Sequence, residues 1–259
     1  MRKYGVDKNG FIKSGAGLNE IKAPFKKIVT GSRREIIGKF GGKIHSIYIY
    51  GSAATGKARP RISDLDILVA FRKKPTSEIE EQIKDLQNIL SNKFRQAVRK
   101  VDIVSIFVKE ATGDKYGWGC FIKHLSVCVY GTDLSKNLPK FKPSKKIASA
   151  FNSDIGKCLD DTLEKLESIS DDREVINLCR ETMRKIVRAG FSLVMDREES
   201  WTSDLDKSCE VFSKYYPEQT LKMKKALAMA KKPLADKKTL ADFLNGFRYW
   251  LTREANRKL

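Results

Sequence analysis

Two apolar segments, Ile44–Tyr50 and Leu65–Phe71, flank a Gly51-Ser52 turn, and the second is entered through Asp64-Leu65-Asp66. Both segments are rich in β-branched and aromatic residues and read as strands. Side-chain direction along a strand has a period of two, so Asp64 and Asp66 project from the same face. Carboxylates held that close are unfavourable unless a cation lies between them, and the pair therefore points to a divalent metal. The Gly51-Ser52 turn at the end of the neighbouring strand offers backbone N–H groups and a hydroxyl suited to a phosphate. Asp102 sits early on a third strand, Val101–Val108, from which it reaches the same edge. Three acids on adjacent strands are the donor set for two magnesium ions. Metal and phosphate together indicate nucleotide chemistry.

The stretch Gly51 to Gly56-Lys57 also matches most of a P-loop, but Ala58 stands where a magnesium-ligating hydroxyl belongs, and Pro60 blocks the helix that should follow. That reading is rejected.

Charge narrows the partners. The 259-residue chain carries 51 Lys/Arg against 32 Asp/Glu, a formal +19. Residues 1–50 hold eleven bases and three acids, residues 136–146 five lysines and no acid, and residues 214–258 twelve bases and four acids. Such a field attracts polyanions, so nucleic acid is an expected partner, beside the plainer reading of a solvated basic surface. The five cysteines are scattered without CxxC spacing and suit a reducing cytoplasm. No apolar run is long enough to span a bilayer, and the basic N-terminus lacks the apolar core of a secretory signal. With only His45 and His124, histidine-rich metal sites and triad chemistry are disfavoured.

The pattern along the chain predicts an α+β architecture. Residues 1–30 read as a basic arm with a short helix near Ile21–Val29, and residues 31–135 as a catalytic domain with a mixed β-sheet flanked by helices. Within that domain a long helix runs from Ser77 to about Arg99, Gly113–Gly119 is a loop, and Ser126–Tyr130 is a further strand. Residues 136–146, with Pro139 and Pro143, read as a linker. Residues 147–259 read as a C-terminal helical bundle, its first helix continuous from Ile147 to Leu166 and its second running from Arg173 to Arg197.

Tyr50-Gly51-Ser52, then Asp64-Leu65-Asp66 after about eleven residues, then Asp102 on a following strand, resembles the DNA polymerase β-type nucleotidyltransferase superfamily. The size and the helical second half are most similar to aminoglycoside adenylyltransferases and related two-domain bacterial enzymes. The resemblance covers about residues 44–134. It implies that Gly51 and Ser52 bind the nucleotide phosphates, and that Asp64, Asp66 and Asp102 bind two Mg2+ ions and are catalytic. The implied reaction moves a nucleoside monophosphate from an NTP, ATP foremost, to a hydroxyl acceptor with release of pyrophosphate. A small molecule or an RNA end serves as acceptor; the alternative is a non-catalytic RNA-binding or antitoxin-like module on the same scaffold. Some relatives use a glutamate of the helical domain as general base, a role open to Glu181, although a glutamate between Arg180 and Arg184 is more often a solvated ion-pair member. Lys57, Arg59 and Arg61 are candidates for the triphosphate or an RNA backbone, and Trp118 for stacking on a base, with solvation and packing as the plainer alternatives.

Overall fold

The computed structural model describes residues 3–259 and divides them into two compact units, residues 13–141 and residues 3–12 together with 142–259. In the first unit α1 (Phe25–Phe40) is one continuous helix, ended by Gly41 at φ +47°. It is followed by β1 (Ile44–Tyr50), the single turn α2 (Gly51–Ala54), β2 (Leu65–Phe71), α3 (Ser77–Lys93) and β3 (Val101–Phe107). Two short helices, α4 (Val108–Gly113) and α5 (Cys120–His124), then lead to β4 (Ser126–Gly131). The sheet order is β3-β2-β1-β4, with β1 antiparallel to both neighbours and β2 parallel to β3. This is the mixed sheet expected, at the expected strands.

Both faces of the sheet are covered, which is why its strands read as nearly unbroken apolar runs. On one face Ile47, Ile49, Ile67 and Val69 pack with Ile28, Ile36 and Phe40 of α1 and Ile83, Leu86 and Leu90 of α3. On the other, Tyr48, Leu68, Ala70 and Ile106 pack with Ala111, Ile122 and Leu134. Tyr48 is wholly buried, and its hydroxyl accepts from Leu134 N at 2.7 Å.

The stretch read as a basic arm is divided between the two units. Residues 13–24 are mostly irregular but docked: Ile21 is buried, and Gly17 N donates to Ala54 O at 3.0 Å. The lysine-rich stretch from Lys136 is likewise anchored, because Phe141 is buried with its ring edge-on to His124. Phe141 N donates to Nε2 of His124 at 3.1 Å, which requires that nitrogen to be unprotonated. Burial first, then Lys123 and Lys140, push His124 from 6.5 down to about 4. An unfolded histidine takes up its proton near 6.5 and the folded one only near 4, so stability is lost as pH falls through that window. Thermal denaturation is expected to show this loss in the wild type and a smaller one in His124→Gln, whose amide oxygen still accepts from Phe141. Equal slopes would contradict the assignment.

The second unit is helical: α6 (Lys145–Asn152), α7 (Ile155–Ser168), α8 (Asp172–Ser192), α9 (Met195–Glu198), α10 (Leu205–Tyr215), α11 (Thr220–Lys231) and α12 (Lys237–Lys258). The single helix expected over residues 147–166 is two, parted at Ser153-Asp154, and the helix expected to reach Arg197 stops at Ser192. Asp204 caps α10, accepting from Lys207 N at 3.0 Å. Val175, Cys179, Met183, Ile186 and Val187 of α8 are buried, as are Phe212, Met223, Leu244 and Phe247 from the helices around it. A Cβ at Gly190 would overlap Met223 and crowd Phe212, so that glycine allows α8, α10 and α11 their close approach. Among the described residues no helix is long and apolar enough to cross a membrane.

Candidate active site

Register decides which carboxylates meet. Asp66 of β2 lies directly beside Asp102 of β3, and on its other side directly beside Tyr50 of β1. Residues in register on neighbouring strands point to the same face. Asp66 and Asp102 therefore stand side by side on the face that also bears Tyr48, Leu68 and Ile106, at the strand ends next to the turn. The Tyr50 phenol senses both: burial, then the charges of Asp66 and Asp102, push its pKa up.

The turn is built around the same carboxylate. Gly51 has φ +67°, and a Cβ there would overlap Oδ2 of Asp66. Only glycine allows the chain to reverse at this point with the Asp66 carboxylate against its backbone. Ser52 follows, half-buried, as the second residue of α2, where first-turn N–H groups have no intrahelical partner. Its carbonyl accepts from Lys57 N at 2.9 Å and Ala58 N at 3.0 Å, which closes the loop tightly behind it.

Asp64, one residue outside β2, is held differently. Arg99 grips both of its oxygens, Nε meeting Oδ1 at 2.9 Å and Nη2 meeting Oδ2. The pair is set by backbone pairing, Arg99 N donating to Ser63 O at 3.1 Å and Leu65 N to Lys100 O at 3.0 Å. The next cation, Lys100, lies 3.6 Å from Asp102. No group of three or more His, Cys, Asp or Glu side chains among the described residues is arranged to hold a metal. The donor chemistry nonetheless suits a hard divalent cation. Asp66 and Asp102 are carboxylates in register on neighbouring strands, oxygen donors of the kind magnesium takes, and Asp64 lies one residue outside the strand that bears Asp66. Arg99 and Lys100 escaped the sequence reading, although two bases directly before the strand that bears Asp102 were a signal.

Lys57, Arg59 and Arg61 are exposed in the loop between the two halves of the motif. Arg61 sits at φ +64°, tied down by its N–H to Ala97 O at 2.9 Å and its Nε to Gln96 O at 3.2 Å. Trp118 is half-buried, its ring edge-on to Phe121, which in turn meets Tyr50. Glu181 is exposed on α8, in the helical unit.

Residues 34–114 match the family model described as Polymerase beta, Nucleotidyltransferase. The match takes in Gly51, Ser52, Asp64, Asp66 and Asp102. Among solved structures the chain is similar to the spectinomycin adenyltransferase AAD(9) from Enterococcus faecialis, determined with ATP and spectinomycin. The two share 15% identity with a TM-score of 0.53, over 89% of this chain and 98% of that one, a likeness of fold. No curated protein matches the chain. The α+β fold, the in-register carboxylates beside a glycine-serine turn and the family match agree, and the chain carries a nucleotidyltransferase domain of the polymerase beta type, the catalytic module of an enzyme.

Proposed function

We propose that the chain transfers the nucleoside monophosphate of ATP to an acceptor hydroxyl, in a reaction that depends on a divalent metal. The observation that carries this reading is the pairing of Asp66 with Asp102 directly beside the Gly51-Ser52 turn. The Ser52 hydroxyl and the first N–H groups of α2 take the phosphates, and Asp66, Asp102 and Asp64 would hold magnesium. Bound there, the metal neutralises the triphosphate and lowers the pKa of the attacking hydroxyl. The acceptor oxygen forms a bond to the α-phosphorus, the bond from the α-phosphorus to the bridging oxygen breaks, pyrophosphate leaves, and the hydroxyl proton passes to solvent or a nearby base.

Arg99 has a defined part in this scheme. Its guanidinium is the counter-ion of Asp64 until a metal competes for the same oxygens. Arg99→Gln is expected to tighten Mn2+ binding, followed by electron paramagnetic resonance without nucleotide, by about tenfold, the worth of a charged hydrogen bond. The same variant should melt lower in chelator and recover as Mg2+ is added. Unchanged or weaker Mn2+ binding would refute this role.

For the acceptor, a small-molecule hydroxyl is the first reading, since the structural neighbour was solved with spectinomycin beside ATP. An RNA end is the second, because residues 13–141 carry 24 Lys/Arg against 12 Asp/Glu, a field that draws polyanions and repels cationic aminoglycosides. ATP labelled at the α-phosphate, incubated with total RNA and separately with an aminoglycoside and aminocyclitol panel, distinguishes the two. Label on neither class, with no pyrophosphate released, would count against both. The non-catalytic alternative is tested by titrating Mg-ATP into wild type and Asp64→Ala/Asp66→Ala, where equal binding would favour it.

A further inference from the structure

One face of α12 presents Gly246, Tyr249 and Arg253 at helical spacing. Tyr249 is 75% exposed, so its ring is open to a partner. The Arg253 guanidinium lies 5.8 Å from its centroid. Gly246, one turn earlier, leaves open space beside the ring, since an added Cβ would meet no atom within 4 Å.

Two cations of α11 lie against α12. Lys222 donates to Gly246 O at 2.7 Å and lies 5.7 Å from the Phe247 centroid, while Lys225 lies 5.7 Å from that of Phe243. These partners are a carbonyl and aromatic faces, neutral groups that fix the ammonium positions without cancelling their charge. Of the acids on α12, Glu254 is buried and engaged by Arg257 and Tyr216, and Asp242 is the carboxylate that shares the face of Tyr249. The result is an exposed ring with Arg253 against it, open space one turn before it and two lysines of α11 held on the adjoining side of the helix, so that these three cations outnumber the one exposed carboxylate. An aromatic platform takes the π-face of an unpaired base, and flanking cations take the phosphates that follow it. A duplex presents no free base face, and a lipid surface does not require an open slot beside a ring.

We infer that the α11–α12 face, through Tyr249, Arg253, Lys222 and Lys225, binds single-stranded nucleic acid. This binding is independent of the transfer reaction, so its test is read without NTP or metal, and failure on either side leaves the other standing. The full chain is titrated, by fluorescence anisotropy, into single-stranded RNA and DNA of about 12 nucleotides, the same length of duplex, and phosphatidylserine vesicles. Tighter binding to a single strand than to duplex or vesicles is expected. Tyr249→Ala should weaken it by about fivefold or more while leaving the salt dependence unchanged. Lys222→Gln/Lys225→Gln should instead flatten the slope of log K against log salt by about 1.4, at about 0.7 for each phosphate no longer neutralised. Gly246→Glu fills the slot with a repelling charge at a site with space for it and with better helix propensity than glycine, and it should weaken binding in a protein that melts no lower than wild type. Equal affinity of wild type and Tyr249→Ala for single strands, or a preference for duplex or vesicles, would overturn the inference.

Discussion

Asp66→Asn is expected to lower kcat/KM for nucleotidyl transfer by about a thousandfold or more while leaving the protein folded. Asp66 stands in register between Asp102 and Tyr50, so the substitution replaces one of two carboxylates that stand side by side at the strand ends. The amide is near-isosteric with the carboxylate it replaces, so the sheet keeps its packing. The same substitution halves the carboxylate pair that the triphosphate-bound cations need. Asp102→Asn should behave alike, and the double variant should be hardly worse than either single one, because the two carboxylates act as a unit. Pyrophosphate release and thermal denaturation measure turnover and folding separately. Retention of a tenth of wild-type turnover by Asp66→Asn would remove Asp66 from the chemistry.

The strands, and the positions on them of the candidate site residues, were legible because their information is local. Apolar runs rich in β-branched and aromatic residues mark β1 and β2, and a period of two puts Asp64 and Asp66 on one face without knowledge of the partner strand. The register of Asp66 with Asp102 is a property of parallel pairing across a helix, and no local pattern specifies it. The end of α3 shows the limit well. Phe94 and Val98 continue its apolar stripe, so the sequence predicts a helix to about Arg99, yet the helix stops at Lys93. Val98 is still buried, but by a turn that delivers residues 99–100 into pairing with residues 63–65. That turn is what brings Arg99 to Asp64, so the misplaced helix end and the overlooked ion pair are one error. In the helical unit the break at Ser153-Asp154 was hidden similarly, because α6 and α7 keep a continuous apolar rhythm across it. The chain leaves α6 at Asn152, whose side-chain amide donates to Ser192 of α8 at 2.8 Å, a distant contact that sequence spacing cannot reveal.

Gly51→Ala is expected to be the most damaging single methyl group that can be added near the site. Two costs combine there. A left-handed backbone at φ +67° costs a non-glycine residue about 1–2 kcal/mol. The new Cβ would also overlap Oδ2 of Asp66, and relieving such a clash in a packed setting costs a further 1–3 kcal/mol, roughly. Gly41 supplies the control. It too has positive φ, at +47°, but a Cβ there meets nothing within 4 Å, so Gly41→Ala carries the backbone cost alone. Gly41 pairs its φ with a ψ of −122°, a backbone region that is kept to glycine, so a Gly51→Ala loss that exceeds that of Gly41→Ala requires the contact between the turn and the carboxylate. Activity should separate them more sharply, with Gly41→Ala near wild type and Gly51→Ala as impaired as Asp66→Asn, because the displaced carboxylate no longer stands beside Asp102. Should Gly51→Ala prove as mild as Gly41→Ala in both measurements, the turn does not hold Asp66, and the arrangement on which transfer is argued would have to be rebuilt from other residues.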